Sequence, residues 1–143
     1  MVRIHPPQPL REPRVLLTKH ESEFMFMFMR PLLAGLLLWL AGTVGIRLAG
    51  QRLLHPDRPL ITILLYAISF AAMAFLVPRI LRESSDRRSA VTLLMLPTLT
   101  LDALACAFFT TVYPNVTPAA AGLFGGWMLI CCGGAVAGVW LAR

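Results

Sequence analysis

The chain has 143 residues, of which 57% are hydrophobic and 14% are charged, and its mean hydropathy is +0.71. A soluble globular domain usually carries about 25% charged residues, so this chain has too few charges to cover a surface that faces water. The composition excludes an ordinary soluble enzyme and a disordered protein, and it indicates the lipid bilayer as the main solvent. The net charge of +6 comes from short basic segments between apolar runs, a distribution that argues against nucleic-acid binding.

Residues 1–26 form a polar segment with four prolines among basic residues. Such a segment buries little surface, and we expect a flexible polar N-terminal tail that becomes ordered only against a partner. The charged stretch before the first apolar run is too long for a secretory signal peptide. Met25 is a second candidate for the start of translation, and the sequence leaves the choice between Met1 and Met25 open.

Four long apolar runs follow, at about residues 27–50, 59–77, 90–112 and 118–141. Each is close to the roughly 20 residues that a helix needs to cross a bilayer. The long runs lack the alternation of a strand, and only helices and closed barrels satisfy every backbone polar group in lipid. We therefore predict an all-α fold, a transmembrane four-helix bundle over residues 27–143.

Basic residues are divided unequally between the two sides of this predicted bundle. Three lie in the 47–58 loop and none in the 113–117 loop, whereas ten lie in the tail, the 78–89 loop and the C-terminus: Arg3, Arg11, Arg14, Lys19, Arg30, Arg79, Arg82, Arg87, Arg88 and Arg143. Positive residues are enriched on the cytoplasmic side of membrane proteins. The count predicts a multi-pass protein of the bacterial inner membrane with both termini in the cytoplasm.

Asp102 is the one carboxylate inside a predicted span. A charged side chain at the bilayer centre costs roughly 2.5–3.5 kcal/mol, so something must compensate for it. Thr98 and Cys106 share its helix face at a spacing of four residues, and Pro97 loosens the helix, so we expect a polar stripe that faces the bundle. A site for proton or cation coupling is one interpretation, and an interhelical hydrogen bond or ion pair is the other.

Arg47, near the outer end of the first span, is the natural candidate partner for Asp102. The two positions differ by about 10 Å along the membrane normal, and a long arginine stem covers part of that distance. We therefore hypothesise an Arg47–Asp102 interaction. The alternative is that Arg47 is a boundary residue whose side chain reaches toward water.

Small residues crowd the fourth span, where two glycine pairs stand at small-xxx-small spacing: Gly122 with Gly126, and Gly134 with Gly138. In lipid, helices associate through the close backbone approach that small residues permit. We predict that these glycines pack against a helix of the same chain or of a second copy. Small residues of the first span, Gly35, Gly42 and Ala49, are a candidate complement.

Catalytic, metal and cofactor motifs are missing from the sequence. The three histidines lie outside the spans, the three cysteines lie inside apolar runs without Cys-x-x-Cys spacing, and no nucleophile elbow or phosphate-binding loop occurs. Span histidines are the usual ligands of intramembrane haem or chlorophyll, so we expect no such pigment. The sequence predicts neither an enzyme nor a bound metal or cofactor.

Several motifs resemble an uncharacterised bacterial family of integral membrane proteins with four predicted spans. They are a Pro97-x-x-x-x-Asp102 segment, a Tyr113-Pro114-Asn115 turn, the Ala121-Gly122-Leu123-Phe124-Gly125 start of the last span, and Arg47-x-x-Gly50 at the end of the first. The resemblance covers roughly residues 31–141 and implies the four-span architecture. It implies no activity, because the family is a domain of unknown function.

These features predict a non-catalytic component of the membrane, either an accessory subunit of a larger complex or a small self-associating bundle. Its partners are then the lipid bilayer and other membrane subunits or copies of itself. The alternative is a small proton-coupled transporter that uses Asp102 in a kinked third span. Four short helices with one buried acid are similar in plan to small multidrug exporters, although those carry the acid in the first span.

Overall fold

The computed structural model describes the backbone of residues 13–142 and the side chains of Met25 and residues 28–142. Within this range the helices are α1 (Pro13–Leu53), α2 (Pro59–Ile80), α3 (Arg87–Ala107), α4 (Phe109–Val112) and α5 (Ala121–Leu141), and a 3₁₀ turn (Pro118–Ala120) precedes α5. No strand occurs among the described residues. The all-α fold predicted from the sequence is confirmed.

Four helical segments are long and apolar enough to cross a bilayer: Phe28–Leu53, Pro59–Ile80, Arg87–Ala107 and Pro118–Leu141. They match the four predicted runs to within a few residues, except that the third ends at Ala107 and the short helix α4 continues it after a break at Phe108. Large side chains such as Leu48 and Leu60 are 76% and 75% exposed, which suits contact with hydrocarbon and not with water.

The first helix begins earlier than the sequence indicated. We expected a flexible tail over residues 1–26, but α1 starts at Pro13 and continues without interruption into the first span. Proline suits the first turn of a helix, where its missing N–H has no partner to lose, and no other proline or glycine occurs between Arg14 and Arg30. Residues 1–12 of the predicted tail lie outside the described residues.

The spans pack as two parallel pairs. Helix α1 lies along α3, and α2 lies along α5, while α3 also contacts α5 and so joins the pairs. The consecutive spans α1 and α2 hardly touch. The direction is parallel within each pair because alternate spans cross the bundle in the same sense. The boundary between α1 and α2 is therefore the most weakly packed side of the four-helix arrangement.

Side-chain contacts at the two ends of the bundle show which segments lie together. At one end Arg30 of α1 forms an ion pair with Glu83 of the α2–α3 loop at 2.8 Å, and the guanidinium of Arg88 lies 4.1 Å from the centre of the Trp140 ring. At the other end, a side chain of α1 and a side chain of the turn before α5 each donate a hydrogen bond to a backbone carbonyl oxygen. The start of α3, the end of α5 and the α2–α3 loop thus lie at the same end, as a four-span topology requires.

Candidate functional site

Asp102 lies on α3 and is buried, with 6% of its surface exposed. Its Oδ1 atom accepts a hydrogen bond of 2.8 Å from Nε1 of Trp39 on α1. Its Oδ2 atom is buried and has no hydrogen-bond partner among the described residues. An unpaired charge in an apolar environment is costly, so this carboxyl group needs a proton, a cation or water at Oδ2.

Thr98 lies one helical turn before Asp102 and faces the same neighbour. Its hydroxyl group donates to the carbonyl oxygen of Gly35 at 3.4 Å, one turn before Trp39 on α1. The two polar side chains of α3 therefore bind α1 at successive turns. The predicted polar stripe exists and faces another helix, which keeps its polar atoms away from lipid.

Arg47 is not the partner of Asp102. Its Nε atom donates to the carbonyl oxygen of Val112 at 2.9 Å, and its own carbonyl oxygen accepts from Nδ2 of Asn115 at 2.7 Å. Because α1 and α3 are parallel, Trp39 is level with Asp102, whereas Arg47 lies two turns further on, beside the end of α4. The hypothesised ion pair is therefore absent from the described residues, and Arg47 is an exposed residue at the end of the span.

A cavity of about 120 Å³ lies among all four spans next to the polar stripe. Its wall includes Trp39, Thr98 and Trp127, together with sulfur-containing side chains such as Met128 and Cys132. Trp39 belongs to both features, because its ring lines the cavity while its N–H holds Asp102. The space suffices for several water molecules or one small ligand, and an occupant would touch the side chain that positions the carboxyl group.

The second tryptophan of the cavity is also held by a hydrogen bond. Nε1 of Trp127 donates to the hydroxyl oxygen of Ser69 at 2.7 Å, and the hydroxyl group of Tyr66 donates to the carbonyl oxygen of Leu123 at 2.6 Å. Sequence reasoning did not assign a role to either tryptophan of the cavity. One feature of the sequence could have indicated the role of Trp39. It lies within a span and away from the interface, and a buried indole N–H requires an acceptor such as Asp102.

Two of the predicted packing glycines bring α5 into backbone contact with α2. A Cβ atom at Gly134 would lie 2.5 Å from the carbonyl oxygen of Phe70, and one at Gly138 would overlap the carbonyl oxygen of Ala74. Only glycine fits such an approach. These two positions place α2 and α5 close together along the second half of α5.

The other predicted glycines behave differently. Gly126 lies against the ring and hydroxyl group of Tyr66, whereas a Cβ atom at Gly122 would meet no heavy atom within 4 Å. In the first span Gly35 approaches the carbonyl group of Leu94 on α3. Gly35 of the first span therefore packs against the third span. We expected the first span to be the complement of α5, but the helix that packs against the glycines of α5 is α2.

Four apolar helices around a buried polar stripe define a polytopic α-helical membrane protein. The family described as "Family of unknown function (DUF5367)" matches residues 53–142, more than half of the chain, and the protein belongs to this family. The resemblance to an uncharacterised four-span family is thus confirmed. No curated protein and no solved structure matches the chain. The matched range contains Asp102 and Thr98, whereas Trp39 and Arg47 precede it.

Proposed function

We propose that this protein is a small proton-coupled transporter whose proton carrier is Asp102 and whose binding site is the cavity beside Trp39. The observation that carries the proposal is a buried carboxyl group with one oxygen atom lacking a partner, held by a residue of the cavity wall. In this proposal the cargo is bound and released without a change in its covalent bonds, so the protein is not an enzyme.

The lining of the cavity favours a small organic cation as cargo. The faces of Trp39 and Trp127 attract a cation by about 0.5–2 kcal/mol each where they contact it, and thioether groups are polarizable. Asp102 does not line the cavity and is reached through Trp39, so a cation bound beside Trp39 would favour the ionised carboxylate, and a proton would neutralise it when the cation is absent. Competition between proton and cargo for one carboxylate is sufficient to couple their movements.

The weak boundary between α1 and α2 offers the cargo a route into the cavity. Leu38 and Gly42 of α1 and Met73 of α2 contribute to the cavity wall, while the two helices make few contacts with each other. Separation of α1 from α2 would open the cavity sideways and leave the α2–α5 and α1–α3 pairs intact. Shear or hinge movements of packed helices are the usual way in which such sites change access.

The direct test uses purified protein in liposomes with tetramethylammonium as the probe cation. Wild-type protein should bind the probe more tightly as the pH rises, because protons compete for Asp102, and should release protons on binding. The Asp102→Asn variant should lose both effects while its fold is retained. Asp57→Asn is the matched control, because Asp57 is an exposed loop carboxylate. Probe binding that is independent of pH, or unchanged in Asp102→Asn, contradicts the proposal.

A second candidate function, an accessory subunit of a membrane complex, is favoured by the length of α1. This helix has 41 residues, and its part before Phe28 extends about 20 Å beyond the span. Such an extension suits contact with another subunit. Mild detergent extraction should then yield a stoichiometric partner that a variant lacking residues 1–27 does not retain. Recovery of the full chain without a partner argues for the transporter.

We also propose that the protein resides in the bacterial inner membrane with both termini in the cytoplasm. The support is the unequal distribution of basic residues, with ten of them at the tail, the 78–89 loop and the C-terminus. A membrane-impermeant maleimide applied to intact cells, after permeabilisation of any outer membrane, should label Asp57→Cys and not Ser84→Cys. The reverse labelling pattern contradicts this orientation.

A further inference from the structure

An open groove of about 490 Å³ lies where α2 and α5 end and α3 begins. Three arginines line it: Arg79 near the end of α2, Arg82 in the following loop and Arg87 at the start of α3. They come from three successive segments of the chain, so the fold gathers charges that the sequence separates. No carboxylate lines the groove within the described part of the chain.

The base of the groove is apolar and closely packed. Gly138 of α5 lies against the backbone of Ala74 on α2, and both residues line the groove. Phe75 and Leu141 also line it and are 60% and 79% exposed. The groove therefore has basic residues along one side and an apolar surface that continues onto the lipid-facing sides of two helices.

One arginine of the groove is held in place by an aromatic ring. The guanidinium carbon of Arg79 lies 3.3 Å from the centre of the Phe75 ring. Stacking fixes the plane of a guanidinium group while its N–H donors remain at the edges of that plane. Arg79 can thus present donors to an oxyanion without losing its contact with Phe75.

The nearby carboxylates have other partners. Glu83 is paired with Arg30, and Asp86 accepts hydrogen bonds from the first turn of α3 and from the hydroxyl group of Ser89. Neither acid is within ion-pair distance of the groove arginines among the described residues. The positive charge of the groove is therefore not neutralised by the described part of the chain.

We propose that this groove binds the headgroup phosphate of an anionic phospholipid, whose acyl chains lie on the apolar surfaces of α2 and α5. Three guanidinium groups suit a phosphate diester, because their paired N–H donors match two phosphate oxygens. The groove lies where the apolar segment of α2 ends, which is the level of the headgroups. Basic pockets between span ends are a recurrent setting for anionic lipids.

This inference is independent of the proposed transport, because its residues are at the end of the bundle and Asp102 is not among them. The test measures, by native mass spectrometry of the full chain in detergent, the retention of phosphatidylglycerol and of phosphatidylcholine with identical acyl chains. Wild-type protein should retain phosphatidylglycerol preferentially. The R82Q/R87Q variant should lose roughly ten-fold or more of its affinity for phosphatidylglycerol, since each basic residue near the surface contributes about one factor of five.

The matched control is R52Q/R58Q, which removes the same charge from two exposed residues at the opposite end, Arg52 in the last turn of α1 and Arg58 just before α2. It should leave the retention of phosphatidylglycerol unchanged. An equal loss in both double variants indicates general charge attraction and overturns the proposal, as does no loss in R82Q/R87Q. If R82Q/R87Q does not fold, R82Q alone in the exposed loop replaces it, with a several-fold loss expected.

Free phosphate and lipid phosphate are distinguished by competition. An excess of inorganic phosphate should not displace phosphatidylglycerol from the wild-type protein, because the acyl chains contribute to binding. Potassium chloride at the same ionic strength is the control. If inorganic phosphate displaces phosphatidylglycerol and chloride does not, the groove is a site for free anions and the lipid assignment is overturned.

Discussion

The α2–α5 pair and the α1–α3 pair are both parallel, but they are held together by different interactions. Along α2–α5, glycine allows backbone to meet backbone at Gly134 and Gly138. Along α1–α3, one close approach at Gly35 is followed by hydrogen bonds from Thr98 and to Asp102. Lipid supplies no hydrophobic force between helices, so each pair depends on packing or on hydrogen bonds. We expect the α2–α5 pair, which is held by backbone packing, to be rigid. In the α1–α3 pair, which is held by hydrogen bonds, the contact between the helices can change with the protonation of Asp102.

The largest effect is expected from a substitution that forces α2 and α5 apart. Gly138→Ala places a methyl group where the carbonyl oxygen of Ala74 lies, so the two backbones must separate. We expect a loss of about 3 kcal/mol in the free energy of unfolding, measured by denaturation in mixed micelles. Gly122→Ala is the control, because its new methyl group meets open space. Equal stability of the two variants would contradict the close backbone contact between α2 and α5 at Gly138.

A smaller effect is expected at the hydrogen bond between Trp39 and Asp102. Trp39→Phe removes the donor and leaves both carboxyl oxygens without a partner, which should cost about 1–2 kcal/mol. A double-mutant cycle with Asp102→Leu should give a coupling energy of about 1 kcal/mol, within the range measured for hydrogen bonds inside membranes. Additive effects of the two substitutions would mean that this bond does not hold α1 to α3.

The end of the α1–α3 pair beside Arg47 provides a sharper comparison. Asn115→Ala removes the hydrogen bond to the carbonyl oxygen of Arg47 and should cost about 1 kcal/mol or less, because this end is close to water. Thr117→Ala, an exposed position in the same turn, is the control. Thermal unfolding of the two variants in detergent measures the difference. A loss larger than that of Trp39→Phe would place the main hydrogen bond at the end of the pair instead of its middle.

The smallest effect is expected outside both pairs, at the start of α3. Asp86 accepts hydrogen bonds from the hydroxyl group and backbone N–H of Ser89 and from the backbone N–H of Arg88, and these lower its pKa below the ordinary value of 3.8. Because the folded pKa is the lower one, the stabilisation is present above 3.8 and is lost as the pH falls through the folded pKa. Unfolding temperatures of Asp86→Ala and wild type should therefore converge at acidic pH.

Asp86→Asn is the control for this titration. An asparagine side chain also caps a helix but carries no charge, so the variant should keep most of the stability at neutral pH and lack the acid-dependent loss. A difference between Asp86→Ala and wild type that persists at strongly acidic pH would contradict the role of the ionised cap.

Composition and patterning are sufficient to predict the four spans and the orientation of Asp102 toward the bundle. Hydrocarbon imposes both, since a backbone in lipid must be helical and a carboxyl group must avoid lipid. The partner of Asp102 depends on which helices pair and in what register, and neither is encoded locally. Charge complementarity favoured Arg47, whereas parallel packing of α1 and α3 placed Trp39 level with the acid.

The glycines of α5 illustrate the same limit. Their spacing predicts close packing, and Gly134 and Gly138 do pack against α2. At Gly126 the nearest group is the side chain of Tyr66 and not the α2 backbone, and a Cβ atom at Gly122 would meet no heavy atom within 4 Å. The backbones of α2 and α5 are therefore in contact along only part of α5, although both glycine pairs have the same spacing. Spacing identifies a helix face that can approach another helix, but the path of the partner helix decides where the approach occurs.

The pairing of alternate spans has a consequence for how the chain is made. The first two spans emerge from the ribosome in succession and yet hardly contact each other. The main neighbour of α1 is α3 and that of α2 is α5, so Trp39 meets its acceptor only after α3 has been synthesised. Insertion and assembly are therefore separate stages for this protein, and a nascent chain that stops after α2 holds two helices in lipid whose main partners have not yet been made.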